Sequence, residues 1–219
     1  MDDPGPATDP PTDPVPDPTA DSTPFFDVVL RQRATRRFAD RPVDDDLIEA
    51  CLRAATHAPS AENSQPWVFI VVGDDRRRAA IADLTRKAWR GGGRQHSTGR
   101  LDESLLREVD QGAESGMGTA PVIVVVCGDT GLGLDVTLPS SVYLATQNLL
   151  LAATALGLGS AMTTLATLFA DDLAELLELP LSVRPMAVVP LGWPDRPAGP
   201  PRRLPVSEKA HRDRYGVPW

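Results

Sequence analysis

Apolar residues recur at helical spacing in several stretches of the chain. The first is a stripe of Phe25, Phe26, Val29 and Leu30, which predicts a helix from about Pro24. Further helices are predicted over residues 44–59, 74–89, 101–112, 140–159 and 171–177. The 140–159 segment is apolar on nearly all faces, as expected of a central buried helix, and Pro139 suits its first turn.

Short apolar runs bounded by Gly, Pro or Asp are typical of strands. Such runs predict strands over residues 67–72, 121–129 and 184–191. Glycine-rich residues 91–100 predict a flexible loop, and residues 192–219 lack periodicity. Helices and strands do not alternate as βαβ units, so the pattern indicates an α+β fold with one domain over residues 23–219.

The first 22 residues differ from the rest in composition. They alternate Pro with Asp and Thr, and they hold six of the eight excess negative charges of the chain. Such a segment cannot bury enough apolar surface to fold, so we expect a disordered tail. The rest is nearly neutral, which does not favour a nucleic-acid surface. The longest apolar stretch, residues 142–158, is shorter and more polar than a membrane span, and the N-terminus has no basic region followed by an apolar stretch, as a signal peptide would.

Cysteine and histidine are scarce. Cys51 falls in a predicted helix and Cys127 in a predicted strand, so both are expected to be free buried thiols, which fits a reducing cytoplasm. No zinc-ligand spacing, P-loop, nucleophile elbow or dinucleotide-binding glycine motif is found. A dedicated dinucleotide-binding domain is therefore not expected, although a nicotinamide could still serve as a transient substrate.

Four arginines fall within seven residues in "RQRATRRF", Arg31 to Phe38. In an extended segment Arg33, Thr35 and Arg37 point the same way, and two guanidinium groups flanking a hydroxyl suit a phosphate. Alternatively, the cluster complements the carboxyl end of the preceding helix. The residues alone leave both interpretations open.

A second polar cluster lies in "HAPSAENSQPWVFIVV", His57 to Val72, between a predicted helix and a strand. Ser60, Asn63 and Gln65 offer hydrogen-bonding groups in a loop whose two ends are fixed. This loop is either a solvated turn or a polar edge that contacts a heterocycle. Trp67 is expected to pack in the core, and His57 to cap the preceding helix.

Taken together, Arg-x-Thr-x-Arg and A-P-S-A-x-N-S-Q-P-W strongly resemble motifs of the nitroreductase family of FMN-dependent oxidoreductases. "VYLATQNLLLAATALGLGSAM", "VVPLGWP" and "PRRLPVSE" are similar to later segments of that family, in the same order. The chain departs from many relatives at Thr163–Leu165, where they carry an acidic residue and glycine. It also departs at Pro201, where they often carry lysine.

The resemblance implies an α/β sandwich with a central, mostly antiparallel sheet flanked by helices, in an intertwined homodimer with FMN at the interface. One subunit would hold the phosphate and ribityl of FMN through Arg33, Ala34, Thr35, Arg37 and Arg203. The other subunit would line the flavin with Pro59, Ser60, Ala61, Asn63 and Gln65. Met162, Thr163 and Thr164 would pass along the edge of the isoalloxazine.

The activity that the resemblance implies is hydride transfer from NADPH or NADH, through FMN, to a small oxidised aromatic substrate in alternating half-reactions. No residue would be catalytic in its own right, since the cofactor carries the chemistry. Two alternatives stay open: a non-catalytic flavin-binding protein of the same fold, and a specialised flavoenzyme such as a dehalogenase, a flavin-fragmenting enzyme or a metabolite dehydrogenase.

Overall fold

The computed structural model describes residues 24–196, 199 and 201–219. The predicted disordered tail, residues 1–22, lies outside them. A four-stranded antiparallel sheet forms the centre, with strand order β1-β2-β4-β3. Its strands are β1 (Trp67–Val72), β2 (Val122–Asp129), β3 (Gly159–Ser160) and β4 (Val183–Gly192). The helices are α1 (Phe25–Arg31), α2 (Asp45–Thr56), α3 (Asp75–Ala88), α4 (Arg94–Ser97), α5 (Glu103–Gln111), α6 (Met117–Thr119), α7 (Leu138–Ala155) and α8 (Ala170–Leu176). The α+β class is confirmed.

Strand β2 explains why helices cover both faces of the sheet. It is buried along almost its whole length, so alternate side chains enter different cores. Val122, Val124 and Val126 pack with α2 and α7 on one face, whereas Ile123 and Val125 pack with α3 and α8 on the other. A strand without a polar face therefore produces the predicted sandwich.

The predicted central helix is α7, which begins at Leu138 with Pro139 in its first turn. Its residues include Val142, Ala145 and Leu149, all fully buried. The helix ends before the predicted boundary because Gly157 takes a φ of +76°. That conformation, which glycine adopts at little cost, releases the chain into β3. Among the described helices none is long and apolar enough to cross a membrane.

The prediction of a flexible loop over residues 91–100 is wrong in its first half. Residues 89–93 form a π-helical turn that continues into helix α4. Gly92 has a φ of +151°, which permits the kink between α3 and α4. Buried Trp89 and the ion pair of Arg94 with Asp110 fix the segment against α5. The glycines therefore allow a sharp change of direction within an ordered segment.

The apolar stripe of α1 lies on the outer surface of the chain. Phe25, Phe26 and Leu30 are each at least 66% exposed, whereas Val28 is buried. Helix periodicity thus predicted the stripe correctly without indicating what covers it. An exposed apolar patch of this kind is a candidate interaction surface.

Cys51 and Cys127 are free and buried, as expected. Burial raises the pKa of the Cys51 thiol to about 11 and that of Cys127 to about 12. Both therefore stay protonated at neutral pH, whereas a thiol that acts as a nucleophile must be ionised. Trp67 also packs in the core, and His57 caps α2, with its Nδ1 2.7 Å from the carbonyl of Arg53.

Candidate functional site

The arginine-rich segment runs along the β3 edge of the sheet. Ala34 forms a parallel bridge with Ser160, and the Thr35 amide donates to the Ser160 carbonyl across 2.8 Å. Further along, the amide of Ala39 donates to the carbonyl of Trp193 across 2.9 Å. These bonds hold the segment extended, which is the conformation that the alternation argument required.

Arg33, Thr35 and Arg37 line one cavity of about 320 Å³, so the structure brings together the three side chains that the alternation grouped. Arg36 lines this cavity and also two adjoining ones, of about 310 and 580 Å³. Arg36 is not among the residues that alternation groups, because alternation places it on the opposite side of an extended segment. Helix α5 closes that side, which makes Arg36 the central cation of the site.

The arginines have unequal partners. The Nη2 of Arg33 donates to the Oε2 of Glu108 across 3.4 Å, and the Nη1 of Arg36 lies 3.9 Å from the same oxygen. Arg37 pairs instead with Asp195 at 3.4 Å. Burial lowers the pKa of Arg36, and the charge of Glu108 partly offsets this effect. A partly buried guanidinium with one distant carboxylate favours the arrival of a further anion.

The segment after α7 forms the second wall of the site. Thr163 exchanges two backbone hydrogen bonds with Val188, at 3.0 and 2.9 Å, so its position is fixed by β4. Its hydroxyl accepts from the amide of Leu165 across 3.2 Å. Met162, 46% exposed, lines the cavities of about 310 and 580 Å³. Thr163 and Thr164 line the smaller of these.

The C-terminal arginines reach the same region. Arg202 and Arg203 line the cavity of about 580 Å³ together with Arg33 and Met162. A cavity of this size lies within the range that binds small ligands and cofactors. The arginine segment, the segment after α7 and Arg203 therefore converge within one chain.

A clamp that the sequence did not reveal supports this region. The indole of Trp89 donates to the Oδ1 of Asp110 across 3.0 Å, and the Nε of Arg94 donates to the same oxygen across 2.9 Å. These two hydrogen bonds lower the pKa of Asp110. Trp89 is buried and lines the cavity of about 310 Å³. No spacing signal links these residues, because three different helical segments supply them.

The loop between α2 and β1 is strained. Glu62, Asn63 and Gln65 have φ values of 56°, 52° and 48°, in the left-handed region that side chains disfavour by about 1–2 kcal/mol each. The Gln65 amide donates to the Ser60 hydroxyl across 3.0 Å, and the Ala61 amide to the Ser141 hydroxyl across 3.3 Å. Such strain is concentrated at functional sites, which favours the functional interpretation of the loop over a plain turn.

The strand order separates this loop from the arginines. The loop leads into β1 at one edge of the sheet, and the arginine segment lies along β3 at the other. Three strand spacings amount to about 14 Å. In the described part of the chain, no residue of the loop lines any of the three cavities around Arg36. The group of predicted residues outside these cavities is Pro59, Ser60, Ala61, Asn63 and Gln65.

In a comparison with known protein families, the family described as "Nitroreductase family" matches residues 29–193 of this chain. The chain is 34% identical to the 5,6-dimethylbenzimidazole synthase of Rhodospirillum rubrum, over 74% of this chain and 78% of the relative. It is 32% identical to the oxygen-insensitive NADPH nitroreductase of Salmonella typhimurium, over 88% and 75%.

The chain is similar to a solved structure over nearly the whole length of that structure. That structure is an oxidised iodotyrosine deiodinase bound to FMN and 3-iodo-L-tyrosine, with a TM-score of 0.73 and 25% identity. The similarity covers 88% of this chain and 99% of that one. Most of the segments that build the three cavities lie within residues 29–193 and so belong to a shared fold.

Proposed function

Because the chain belongs to the nitroreductase family, we propose that it binds FMN and acts as an NAD(P)H-dependent oxidoreductase on small oxidised aromatic compounds. The observation that carries the proposal is the convergence of Arg33, Arg36 and Arg203 with Met162 around adjoining cavities. One guanidinium group can donate two parallel hydrogen bonds to a phosphate, and the adjoining cavity of about 310 Å³ has room for a ring.

The residues fit FMN. Arg33, Arg36, Arg37 and Arg203 would hold the phosphate, and Ala34 and Thr35 would lie along the ribityl chain. Met162, Thr163 and Thr164 would contact the edge of the ring, and Arg202 would supply the charge missing at Pro201. The fit rests on the chemistry of the lining: Arg33, Arg36 and Arg203 bring guanidinium groups to the same cavity that the apolar side chain of Met162 lines. Such a donor set suits a phosphate joined to a ring.

We propose that a second copy of the chain completes the site, and that residues 23–219 act as one domain within this dimer. A second copy would bring Pro59, Ser60, Ala61, Asn63 and Gln65 to the flavin, since none of them lines the cavities around Arg36 within one chain. The exposed apolar stripe of α1 and Leu144 of α7, 48% exposed, offer surface for that contact. The two free cysteines support a cytoplasmic location.

Bound FMN would supply the redox chemistry, exchanging hydride with NAD(P)H and then with the aromatic substrate in alternating half-reactions. The chain itself would orient the ring. Thr163 is fixed by β4, so the wall it forms is rigid. The clamp of Trp89 and Asp110 holds an apolar wall beside it. Hydride transfer between stacked rings depends on such alignment.

A specialised flavoenzyme is the second candidate. Its support is the similarity to a 5,6-dimethylbenzimidazole synthase and to a deiodinase structure bound to an iodinated tyrosine. Identification of products separates the two candidates. Reduction of a nitroaromatic or quinone supports the general reductase, whereas loss of halide from a halophenol or oxygen-dependent breakdown of the flavin supports the specialised one.

The proposal is tested by the absorbance spectrum of the purified protein. We expect a flavin spectrum that NADPH or NADH bleaches anaerobically and that a nitroaromatic or quinone restores. The double variant Arg33→Ala, Arg36→Ala should lose the flavin, whereas Arg107→Ala should keep it, because Arg107 is an exposed arginine of α5. A wild-type protein that cannot take up FMN would refute the proposal.

A further inference from the structure

The arginine cluster contains a carboxylate that the proposed function does not use. Glu108 of α5 lines both the cavity of about 320 Å³ and the cavity of about 580 Å³. Its Oε2 accepts a hydrogen bond from Arg33 across 3.4 Å and lies 3.9 Å from Arg36. All three side chains are 28–40% exposed, so the cluster is partly shielded from water.

Close packing of α5 keeps Glu108 in this place. Gly112 and Gly116 lie in the π-helical turn that continues α5, and both face Arg36. A Cβ at Gly112 would lie 2.7 Å from the Cδ of Arg36, and one at Gly116 would overlap its carbonyl oxygen. Glu108 lies four residues before Gly112, and side chains at that spacing share a helix face. The two glycines therefore let α5 approach the arginines closely, and Glu108 is carried into the cluster.

The charge of Glu108 opposes a second anion. Arg37 already has Asp195 as a partner, so Arg33 and Arg36 are the cations that Glu108 neutralises. A phosphate that enters must either displace Glu108 from them or lie close to its charge. In the first case the phosphate replaces an existing ion pair, and in the second the two negative charges repel each other. In both cases the free energy gained by binding phosphate is smaller than it would be without Glu108.

We propose that Glu108 is a specificity-determining residue of the cofactor site. It acts as an internal counter-ion of Arg33 and Arg36 and lowers the preference of the site for flavin that carries a phosphate over flavin that does not. This inference rests on the proposed function, since the phosphate concerned is that of FMN.

The test is a titration of flavin-free protein with FMN and with riboflavin, followed by the quenching of flavin fluorescence. Glu108→Gln keeps the shape of the side chain and removes its charge. It should tighten FMN binding about fivefold, the effect expected of one partly exposed ion pair, and leave riboflavin binding unchanged. The increase should shrink as salt is added, because the interaction is screened.

The matched control is Glu103→Gln, which removes the same charge from an exposed position on the same helix. It should change the ratio of FMN to riboflavin affinity by less than about twofold. Inorganic phosphate gives a readout without flavin: it should raise the melting temperature of Glu108→Gln more than that of the wild type.

Three results would overturn the inference. An unchanged affinity ratio in Glu108→Gln would mean that the carboxylate does not compete with phosphate. A weaker affinity for FMN would mean that Glu108 positions the arginines for it. An equal change in Glu103→Gln would reduce the effect to net charge. Failure of the wild type to bind either flavin is a different result, which refutes the proposed function and the inference with it.

Discussion

Thr35 and Ser160 join the two segments on which the candidate site depends. The amide of Thr35 donates to the carbonyl of Ser160 across 2.8 Å, and the neighbouring Gly159 lies under the Thr35 side chain. A Cβ at Gly159 would come within 2.6 Å of the Cγ2 of Thr35. The arginine segment therefore keeps its position because residue 159 has no side chain.

Gly159→Ala should push Thr35 away from β3 and misplace the arginines that flank it. Overpacking of this kind costs about 1–3 kcal/mol of unfolding free energy, and FMN affinity should fall at least about threefold. Denaturant unfolding and flavin titration measure the two effects. Gly73→Ala is the control, because no atom lies within 4 Å of the added methyl. Equal behaviour of the two variants would argue against this contact.

Arg36 should contribute more to FMN binding than Arg37. Arg36 lines all three cavities, whereas Arg37 lines one of them and already pairs with Asp195. Loss of charge-assisted hydrogen bonds costs about 1.5–3 kcal/mol, so Arg36→Ala should weaken FMN binding at least about tenfold. Arg37→Ala should weaken it about threefold or less. Isothermal titration with FMN measures both affinities. A larger loss of affinity in Arg37→Ala than in Arg36→Ala would contradict this prediction and would favour a site defined by alternation alone.

Asn63 should affect flavin binding with little effect on stability. Asn63→Gly removes the amide and fits the φ of 52°, so the relieved strain and the flexibility of glycine roughly cancel. FMN affinity should fall about threefold or more, the loss expected of one hydrogen bond. Trp67→Ala is the contrast: it removes a core side chain and should cost about 3–5 kcal/mol of unfolding free energy. Unchanged flavin affinity in Asn63→Gly would leave the loop without a role in binding.

The sequence predicted the elements whose apolar residues form a long pattern, and the reason is physical. Helices α2 and α3 each bury one apolar face, α7 is apolar along most of its length, and strands β1, β2 and β4 contain continuous apolar runs. Strand β3 has two residues, too few for a pattern, and it forms because β4 and Ala34 lie on either side of it. Helix α4 depends on Trp89 and Asp110, which tertiary contacts bring together.

The sequence predicted only part of the site, because the rest depends on contacts between distant segments. The Arg33, Thr35 and Arg37 group follows from alternation along an extended segment. Arg36 and Glu108 could not be found in this way, because their roles depend on how closely α5 approaches, and the two glycines that permit it lie far along the chain. A single acidic residue on a helix is usually solvated, so its sequence position carries no signal. The second copy proposed to cover the α1 stripe likewise leaves no signal in the sequence of one chain.

The central claim is that each FMN site is built from two chains, and a heterodimer tests it most directly. One chain carries Arg33→Ala and Arg36→Ala, and the other carries Ser60→Ala and Asn63→Gly. The two are co-expressed with different affinity tags, and the dimer that carries both tags is isolated. Neither homodimer should retain FMN at low flavin concentration. The heterodimer combines both defects in one site and leaves the other intact, so it should hold about one FMN per dimer. A heterodimer without flavin, or a wild-type monomer that binds FMN fully, would contradict the account.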